Sequence, residues 1–227
     1  GRIARYEDRD GITLAVADVT PAYTNKLSGK GTFSNRTRRV ERAWRVFAYD
    51  RIDDVVVVYD DVVATRPAFR KRWLLHTTNQ PQIDGSSFVA EVAPRPGPGR
   101  AGGRLEGRVL LPRDAVLLPI GGRGFEFWVE GVNYDEGGKL AQAAAKAPPQ
   151  GIEPGRWRLE VMPAADAAAD RFLVVLLPRA PGDAAPHRVR LLEEAGRTGA
   201  EVAGPQRTVR YWFREGELGA QVEVVPR

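Results

Sequence analysis

One of the two histidines in the sequence, His76, stands in the stretch KRWLLHTTNQP, whose pattern is that of a strand leading into a turn. Alternate side chains of a strand point to opposite faces, so His76 shares its face with Arg70, Arg72 and Thr78. Such a polar face is typical of a cleft, where an imidazole can donate a hydrogen bond or exchange a proton near neutral pH. The alternative is a packed histidine bonded to a backbone carbonyl, and the sequence leaves both interpretations open.

Two further short stretches offer groups that could contact a sugar. Asn133 and Tyr134 end FEFWVEGVNY, where a strand enters a glycine-containing turn, and Tyr23 and Asn25 lie in DVTPAYTNK after an early strand. Aromatic faces stack on pyranose C–H faces, while amides bond sugar hydroxyls. For Asn133 and Tyr134 the alternative is a turn-forming amide beside a packed ring.

A group of arginines forms the densest cluster of positive charge in the sequence. Its members are Arg36, Arg38, Arg39, Arg42 and Arg45. One interpretation is an edge strand that carries charge to prevent pairing with other chains. The other is a surface for sulfate or carboxylate groups, which guanidinium binds in a bidentate manner.

Composition narrows the possible chemistry. The chain has 227 residues, a net charge of +5 and a pI near 9.7, which favours anionic partners. The absence of cysteine excludes thiolate catalysis and cysteine-ligated metal, and no phosphate loop or nucleophile elbow is present. We therefore expect no metal and no cofactor.

The N-terminal sequence and the hydropathy bear on whether the chain carries a signal peptide, crosses a membrane or belongs to a longer protein. The first twenty residues lack the pattern of a signal peptide, and no apolar run is long enough to cross a membrane. The chain begins with Gly rather than Met, so we expect a processed or excised piece of a longer protein, and we expect no membrane partner.

Hydrophobic periodicity predicts an all-β protein. Short apolar runs recur about every ten residues between turn signals, which is typical of antiparallel sheets. The sequence favours a single domain over residues 1–227, an antiparallel two-layer β-sandwich with one short helix at 139–147. The run VVVVYDDVV, within 55–63, is apolar on both alternations and is expected to be a central strand covered on both faces.

The order of these strands resembles a known family. The segments VVVVYDDVVA, KRWLLHTTNQPQIDG, GRLEGRVLLP, GGRGFEFWVEGVNY, GRWRLEV and DRFLVVLLP follow one another as in the β-sandwich domain of heparinase II/III-like polysaccharide lyases. The likeness covers most of the chain, from about Asp18 to Pro226. It implies that an α/α-toroid domain packs against the sandwich and that acidic polysaccharide lies between the two.

The resemblance also implies a reaction and roles for some residues. These lyases break uronic-acid polymers by β-elimination, and most of their catalytic groups, including a Tyr acid, come from the toroid. His76 matches a strand histidine that faces the shared cleft, which gives it a helper role in catalysis. Tyr23 and Asn25 match a segment that approaches the toroid, and with Arg72, Asn133 and Tyr134 they are the candidate substrate contacts. Some members bind zinc through a His-x-His pair, but Thr78 replaces the second histidine here.

Three functional hypotheses remain. The first is the sandwich half of an acidic-polysaccharide lyase, inactive when isolated, from a periplasmic or secreted bacterial enzyme as the resemblance implies. The second is a non-catalytic carbohydrate-binding or structural sandwich. The third, nucleic-acid binding, has only the basic charge in its favour, without a combined aromatic and basic motif, and we expect no nucleic-acid partner.

Overall fold

A computed structural model describes residues 1–23, 38–97, 101–125, 127–134, 155–184 and 186–226. Within those ranges the protein consists of antiparallel strands and one 3₁₀ turn, Thr20–Tyr23, so the predicted all-β antiparallel fold is confirmed. The predicted helix at 139–147 and the candidate residue Asn25 lie outside the described residues.

The described residues contain strands that assemble into four antiparallel sheets. In chain order the strands are β1 (Arg2–Arg9), β2 (Ile12–Asp18), β3 (Val40–Asp50), β4 (Val55–Ala64), β5 (Trp73–Thr77), β6 (Gln82–Asp84), β7 (Ser87–Val92), β8 (Gly103–Leu111), β9 (Val116–Gly121), β10 (Trp128–Val129), β11 (Val132–Asn133), β12 (Trp157–Met162), β13 (Ala169–Arg179), β14 (Arg188–Glu194), β15 (Arg197–Ala203), β16 (Thr208–Phe213) and β17 (Gln221–Val225).

One large sheet and two smaller sheets make up the body of the protein. The eight-stranded sheet has the order β1-β2-β3-β4-β13-β8-β7-β6. The smaller sheets are three-stranded, β5-β12-β9, and four-stranded, β14-β15-β16-β17. A short β10-β11 hairpin forms a separate two-stranded sheet. The predicted central position of β4 is confirmed, because it pairs with β3 on one side and β13 on the other.

The two smaller sheets cover opposite faces of the large sheet. Along β13, Leu173, Val175 and Leu177 belong to the core cluster that includes the four-stranded sheet. The alternate residues Phe172 and Val174 belong to the cluster that includes the three-stranded sheet. Because successive strand residues point to opposite faces, each small sheet forms a two-layer sandwich with the large one, and β13 is shared by both cores.

A network of hydrogen bonds fastens the four-stranded sheet to the large sheet. Arg207 donates two hydrogen bonds to the buried carboxylate of Asp50, at 2.6 and 3.0 Å. Asp53, also buried, accepts hydrogen bonds from the backbone amides of Gln206 and Arg207. A Cβ at Gly204 would lie 2.3 Å from an Asp53 carboxylate oxygen, so this turn requires glycine where the two sheets meet.

The arginine cluster occupies a different position from the predicted edge strand. β3, which carries Arg42 and Arg45, lies between β2 and β4, so the edge interpretation is wrong. The local charge pattern could not reveal this, because the carboxylates that neutralise the arginines come from the neighbouring strand. Arg42 pairs with Asp61 at 3.0 Å and Arg45 with Asp60 at 2.6 Å, and both carboxylates are buried.

Candidate functional site

The outer face of the three-stranded sheet carries His76 in a defined row of side chains. In the antiparallel register His76 of β5 stands opposite Arg158 of β12, and Arg158 stands opposite Ile120 of β9. The next row is Leu74, Glu160 and Leu118. Directly opposed residues point to the same side of a sheet, so both rows lie on the face turned away from the core.

The inner face of the same sheet shows why β5 presents its histidine outward. Trp73 and Thr77 are buried, Leu75 packs against the core cluster, and Leu74 and His76 between them are exposed. The sequence-based assignment of His76 to the face opposite Trp73 therefore agrees with the structure. Among the described residues the imidazole has no hydrogen-bond partner, so its nitrogens face solvent rather than a backbone carbonyl.

A buried carboxylate organises the charges on this outer face. Glu160 is 4% exposed and lies 2.7 Å from a guanidinium nitrogen of Arg158 and 3.3 Å from one of Arg72. A guanidinium paired with one carboxylate retains N–H donors for a second acceptor. The exposed Glu130 approaches Arg72 only to 4.0 Å.

The β10-β11 hairpin is attached to this outer face. Arg158 donates a hydrogen bond of 2.7 Å to the carbonyl of Trp128, and Trp128 pairs with Asn133 in the hairpin register. The Asn133 side-chain oxygen accepts a 2.9 Å hydrogen bond from the Phe127 amide, so this oxygen stabilises the turn. Tyr134, which follows β11, is half-buried. The structure thus brings the hairpin to Arg158, the cross-strand partner of His76.

Tyr23 belongs to a different part of the surface. It ends the 3₁₀ turn after β2, is 51% exposed, and its carbonyl accepts a hydrogen bond from the Arg39 amide. Tyr23 lies within electrostatic range of Arg45, which is bound to Asp60. Burial raises the pKa of the Asp60 carboxyl and the Arg45 guanidinium opposes that shift. No contact among the described residues joins Tyr23 to His76.

The outer face of the three-stranded sheet is unusually apolar around its charged centre. Leu74, Val116 and Leu118 are 44 to 48% exposed, and Phe125 and Val129 of the hairpin region are exposed to a similar degree. Single exposed apolar residues are ordinary, whereas several on one sheet face are typical of a surface that contacts another molecule or domain.

Sequence reasoning missed Arg158 and Glu160, which complete the charged centre of this face. A signal was present in GRWRLEV, where Arg156, Arg158 and Glu160 alternate with Trp157 and Leu159, as on a strand with one polar face. The sequence could not show that Glu160 is buried between Arg158 and Arg72, because Arg72, just before β5, is far from Glu160 in the chain.

His187, the second histidine of the chain, follows a proline- and glycine-containing loop, where the sequence predicts a solvated turn residue, and the structure differs. It is half-buried, and a guanidinium nitrogen of Arg179 lies 2.6 Å from its Nδ1. Burial and the Arg179 charge lower the pKa of His187. This histidine therefore belongs to the packing between the large sheet and the start of β14.

The described residues contain no group of three or more His, Cys, Asp or Glu side chains placed to hold a metal ion. They also include no helix with the length and apolar character that a membrane crossing requires.

Solved structures provide the comparison that relates this fold to known proteins. A heparinase III structure matches 94% of the chain with a TM-score of 0.53 and 11% identity. A mutant of the heparan sulfate lyase HepC from Pedobacter heparinus matches 99% of the chain with a TM-score of 0.51 and 11% identity. The chain has the fold of the heparinase β-sandwich. The predicted resemblance is confirmed at the level of the fold.

The match covers only a fraction of those proteins. The chain spans 27% of the heparinase III chain and 28% of the HepC chain. A further heparinase III structure gives the same result, with a TM-score of 0.52, 11% identity, and coverage of 94% of this chain and 27% of that one. No family model and no curated protein sequence matches the chain.

Proposed function

We propose that this chain is a β-sandwich domain, spanning residues 1–227, of a lyase that cleaves uronic-acid polysaccharides by β-elimination. It forms one wall of the substrate cleft and lacks the full catalytic set. The observation that carries the proposal is the fold match to heparinase III and heparan sulfate lyase over 94 to 99% of the chain. The exposed His76 beside Arg72 and Arg158 supports it.

The chemistry assigns limited roles to these side chains. In β-elimination a base removes the proton at C5 of the uronic acid, the C–H electrons form the C4–C5 double bond, and the C4–O bond breaks. The leaving oxygen takes up a proton. Cations or hydrogen-bond donors at the uronate carboxylate raise the acidity of the C5 proton. Arg72 and Arg158 suit that role, and His76 suits a hydrogen bond to substrate, while the resemblance assigns the Tyr acid to a toroid.

A companion domain completes the site in this proposal. The apolar side chains of Leu74, Val116 and Leu118 lie on the same face as His76, so a domain that covers them also covers the histidine. The chain spans 27 to 28% of the enzymes that it resembles, which leaves ample length for such a domain in a protein of that kind. The α/α-toroid is the partner that fits, and the enzyme is periplasmic or secreted.

The second candidate is a non-catalytic sandwich that binds carbohydrate or has only a structural role. One observation favours it: within the described residues no side chain is hydrogen-bonded to His76 to orient it, as a catalytic base usually requires. Both candidates keep the same fold and the same outer face around His76, so activity has to separate them.

The test compares the complete polypeptide that contains this sequence with the 227-residue chain alone. Each is incubated with a panel of uronic-acid polymers, and ultraviolet absorbance reports the unsaturated uronate product. We expect product from the complete polypeptide and little or none from the chain alone. Absence of product from the complete polypeptide on every polymer, with binding retained, supports the non-catalytic sandwich. Efficient turnover by the chain alone contradicts the proposed division of catalytic groups.

A further inference from the structure

Two arginines share one aromatic ring at the end of the large sheet where β3 begins and β4 ends. The guanidinium carbon of Arg39 lies 4.9 Å from the centroid of the Phe69 ring, and that of Arg66 lies 5.8 Å from it. Both distances are within the range of a cation–π interaction. The two guanidinium carbons therefore lie at most about 11 Å apart, close to the Debye length of about 10 Å at 0.1 M salt.

Backbone hydrogen bonds fix this arrangement. The Thr65 amide donates to the carbonyl of Arg39 at 3.0 Å, and the Phe69 amide donates to the carbonyl of Arg66 at 3.0 Å. The Arg39 amide donates to the carbonyl of Tyr23 at 3.2 Å. The backbone that carries Arg39, Arg66 and Phe69 is thus held by main-chain hydrogen bonds that do not depend on the arginine charges.

The neighbouring arginines are neutralised, whereas these two are not. Arg38 pairs with Glu41, and Arg70 pairs with Asp166. In the part of the chain that the structure describes, Arg39 and Arg66 have no carboxylate partner. The sequence between Tyr23 and Arg38 contains Lys26, Lys30 and Arg36 and no Asp or Glu, so it brings no negative charge that could compensate.

We propose that Arg39 and Arg66, held on Phe69, form a subsite for a sulfate or carboxylate group of an acidic polysaccharide. This inference rests on the proposed function for the identity of the polyanion. Two like charges near one ring repel each other, and an anion bound to both removes that repulsion. The exposed Tyr23, whose carbonyl is hydrogen-bonded to the Arg39 amide, offers an aromatic ring for an adjacent sugar.

A polysaccharide fits this subsite better than a nucleic acid. Single-stranded nucleic acids bind proteins by stacking bases on free aromatic faces next to basic side chains. Phe69 is half-buried, so its ring is not an open stacking platform for a base. The guanidinium groups remain able to donate hydrogen bonds to the oxygens of an anionic group.

The experiment measures binding of a heparin-derived octasaccharide to the chain by calorimetry, at several salt concentrations. Arg39→Gln with Arg66→Gln is the test variant, and Arg9→Gln with Arg188→Gln is the control, since it removes the same charge from exposed positions on β1 and β14. We expect the test variant to weaken binding about tenfold or more, because charge-assisted hydrogen bonds are lost. The control should weaken it less than about twofold.

Further variants and probes decide between the outcomes. Arg39→Lys with Arg66→Lys retains the charge and loses the planar donors, so we expect an intermediate affinity. Equal weakening by test and control variants, or no weakening by either, overturns the subsite. If the test variant loses as much affinity for a single-stranded DNA of matched charge as for the octasaccharide, the assignment to polysaccharide is overturned. Circular dichroism at rising temperature confirms that each variant is folded.

The result is independent of the test of the proposed function. If the complete polypeptide is inactive but the octasaccharide binds through Arg39 and Arg66, the lyase proposal fails and the subsite stands. If the polypeptide is active and replacing Arg39 and Arg66 leaves octasaccharide binding unchanged, the lyase proposal stands and the subsite fails.

Discussion

The two smaller sheets pack on the same large sheet but present opposite kinds of surface to the outside. On the four-stranded sheet, Arg190, Glu201, Arg210 and Glu223 stand opposite one another across all four strands. Glu201 lies 2.7 Å from Arg190 and 2.8 Å from Arg210, so this outer face carries a ladder of alternating charge. Such a ladder is well hydrated and needs no partner.

The three-stranded sheet has the reverse arrangement. Its charged centre, Glu160 with Arg72 and Arg158, is flanked by the exposed Leu74 and Leu118. Water solvates the ladder of the first sheet but leaves the leucines of the second sheet unfavourably exposed. The difference supports the proposal that the three-stranded sheet, with His76, is the side covered by a companion domain, while the four-stranded sheet faces solvent.

The largest effect is expected where the four-stranded sheet joins the large sheet. Arg207→Met leaves the Asp50 carboxylate buried without its cation, and we expect a loss of about 3–5 kcal/mol in the free energy of unfolding. Arg190→Met, on the exposed ladder of the same sheet, is the matched control and should cost less than about 1 kcal/mol. Urea denaturation measures the free energy of unfolding of both variants. Equal losses would show that the buried pair at the sheet junction stabilises the fold no more than an exposed pair does.

The two faces of the three-stranded sheet should respond differently to the same substitution. Leu159→Ala empties a fully buried site on the inner face, and we expect a loss of about 2–5 kcal/mol. Leu74→Ala acts on the outer face, where the side chain is 48% exposed, and should cost less than about 1 kcal/mol in the isolated chain. A large cost for Leu74→Ala would mean that the outer face is already packed.

The smallest effect concerns His187 at the base of the four-stranded sheet. Burial and Arg179 lower its pKa in the folded protein, so the unfolded chain binds more protons as the pH falls. The contribution of His187 to the free energy of unfolding is therefore fully present above about pH 6.5, the pKa of histidine in the unfolded chain. It declines as the pH falls below that value. His187→Gln should therefore flatten the pH dependence of the urea midpoint between about pH 8 and 5. An unchanged slope contradicts this assignment.

Local patterns predicted some parts of the fold well. The all-apolar run in β4 indicated a central strand, and it pairs on both sides in the large sheet. Alternation alone assigned His76 and Trp73 to opposite faces. These features depend on a single strand, whose period of two is visible in the sequence.

Other parts depended on signals that were overlooked or on distant contacts. β1 was missed because RIARYEDR is polar and exposed, although Asp10 and Gly11, with φ of 54° and 74°, form the tight turn that Asp-Gly favours. The pairing of Arg72, just before β5, with Glu160 of β12 joins two segments that are far apart in the chain. No local pattern specifies which strands will be neighbours, so the charged centre of the site became visible only in the structure.

Thiol labelling offers the most direct test of the claim that the three-stranded sheet is the covered side, because the chain contains no cysteine. Leu74→Cys and Arg190→Cys each introduce one thiol, on the outer faces of the three-stranded and four-stranded sheets. Labelling rates are measured in the isolated chain and in the complete polypeptide. We expect the thiol at position 74 to be labelled at least about tenfold more slowly in the complete polypeptide, and the thiol at position 190 to be unaffected. Full labelling at position 74, or protection at position 190 instead, would contradict the account.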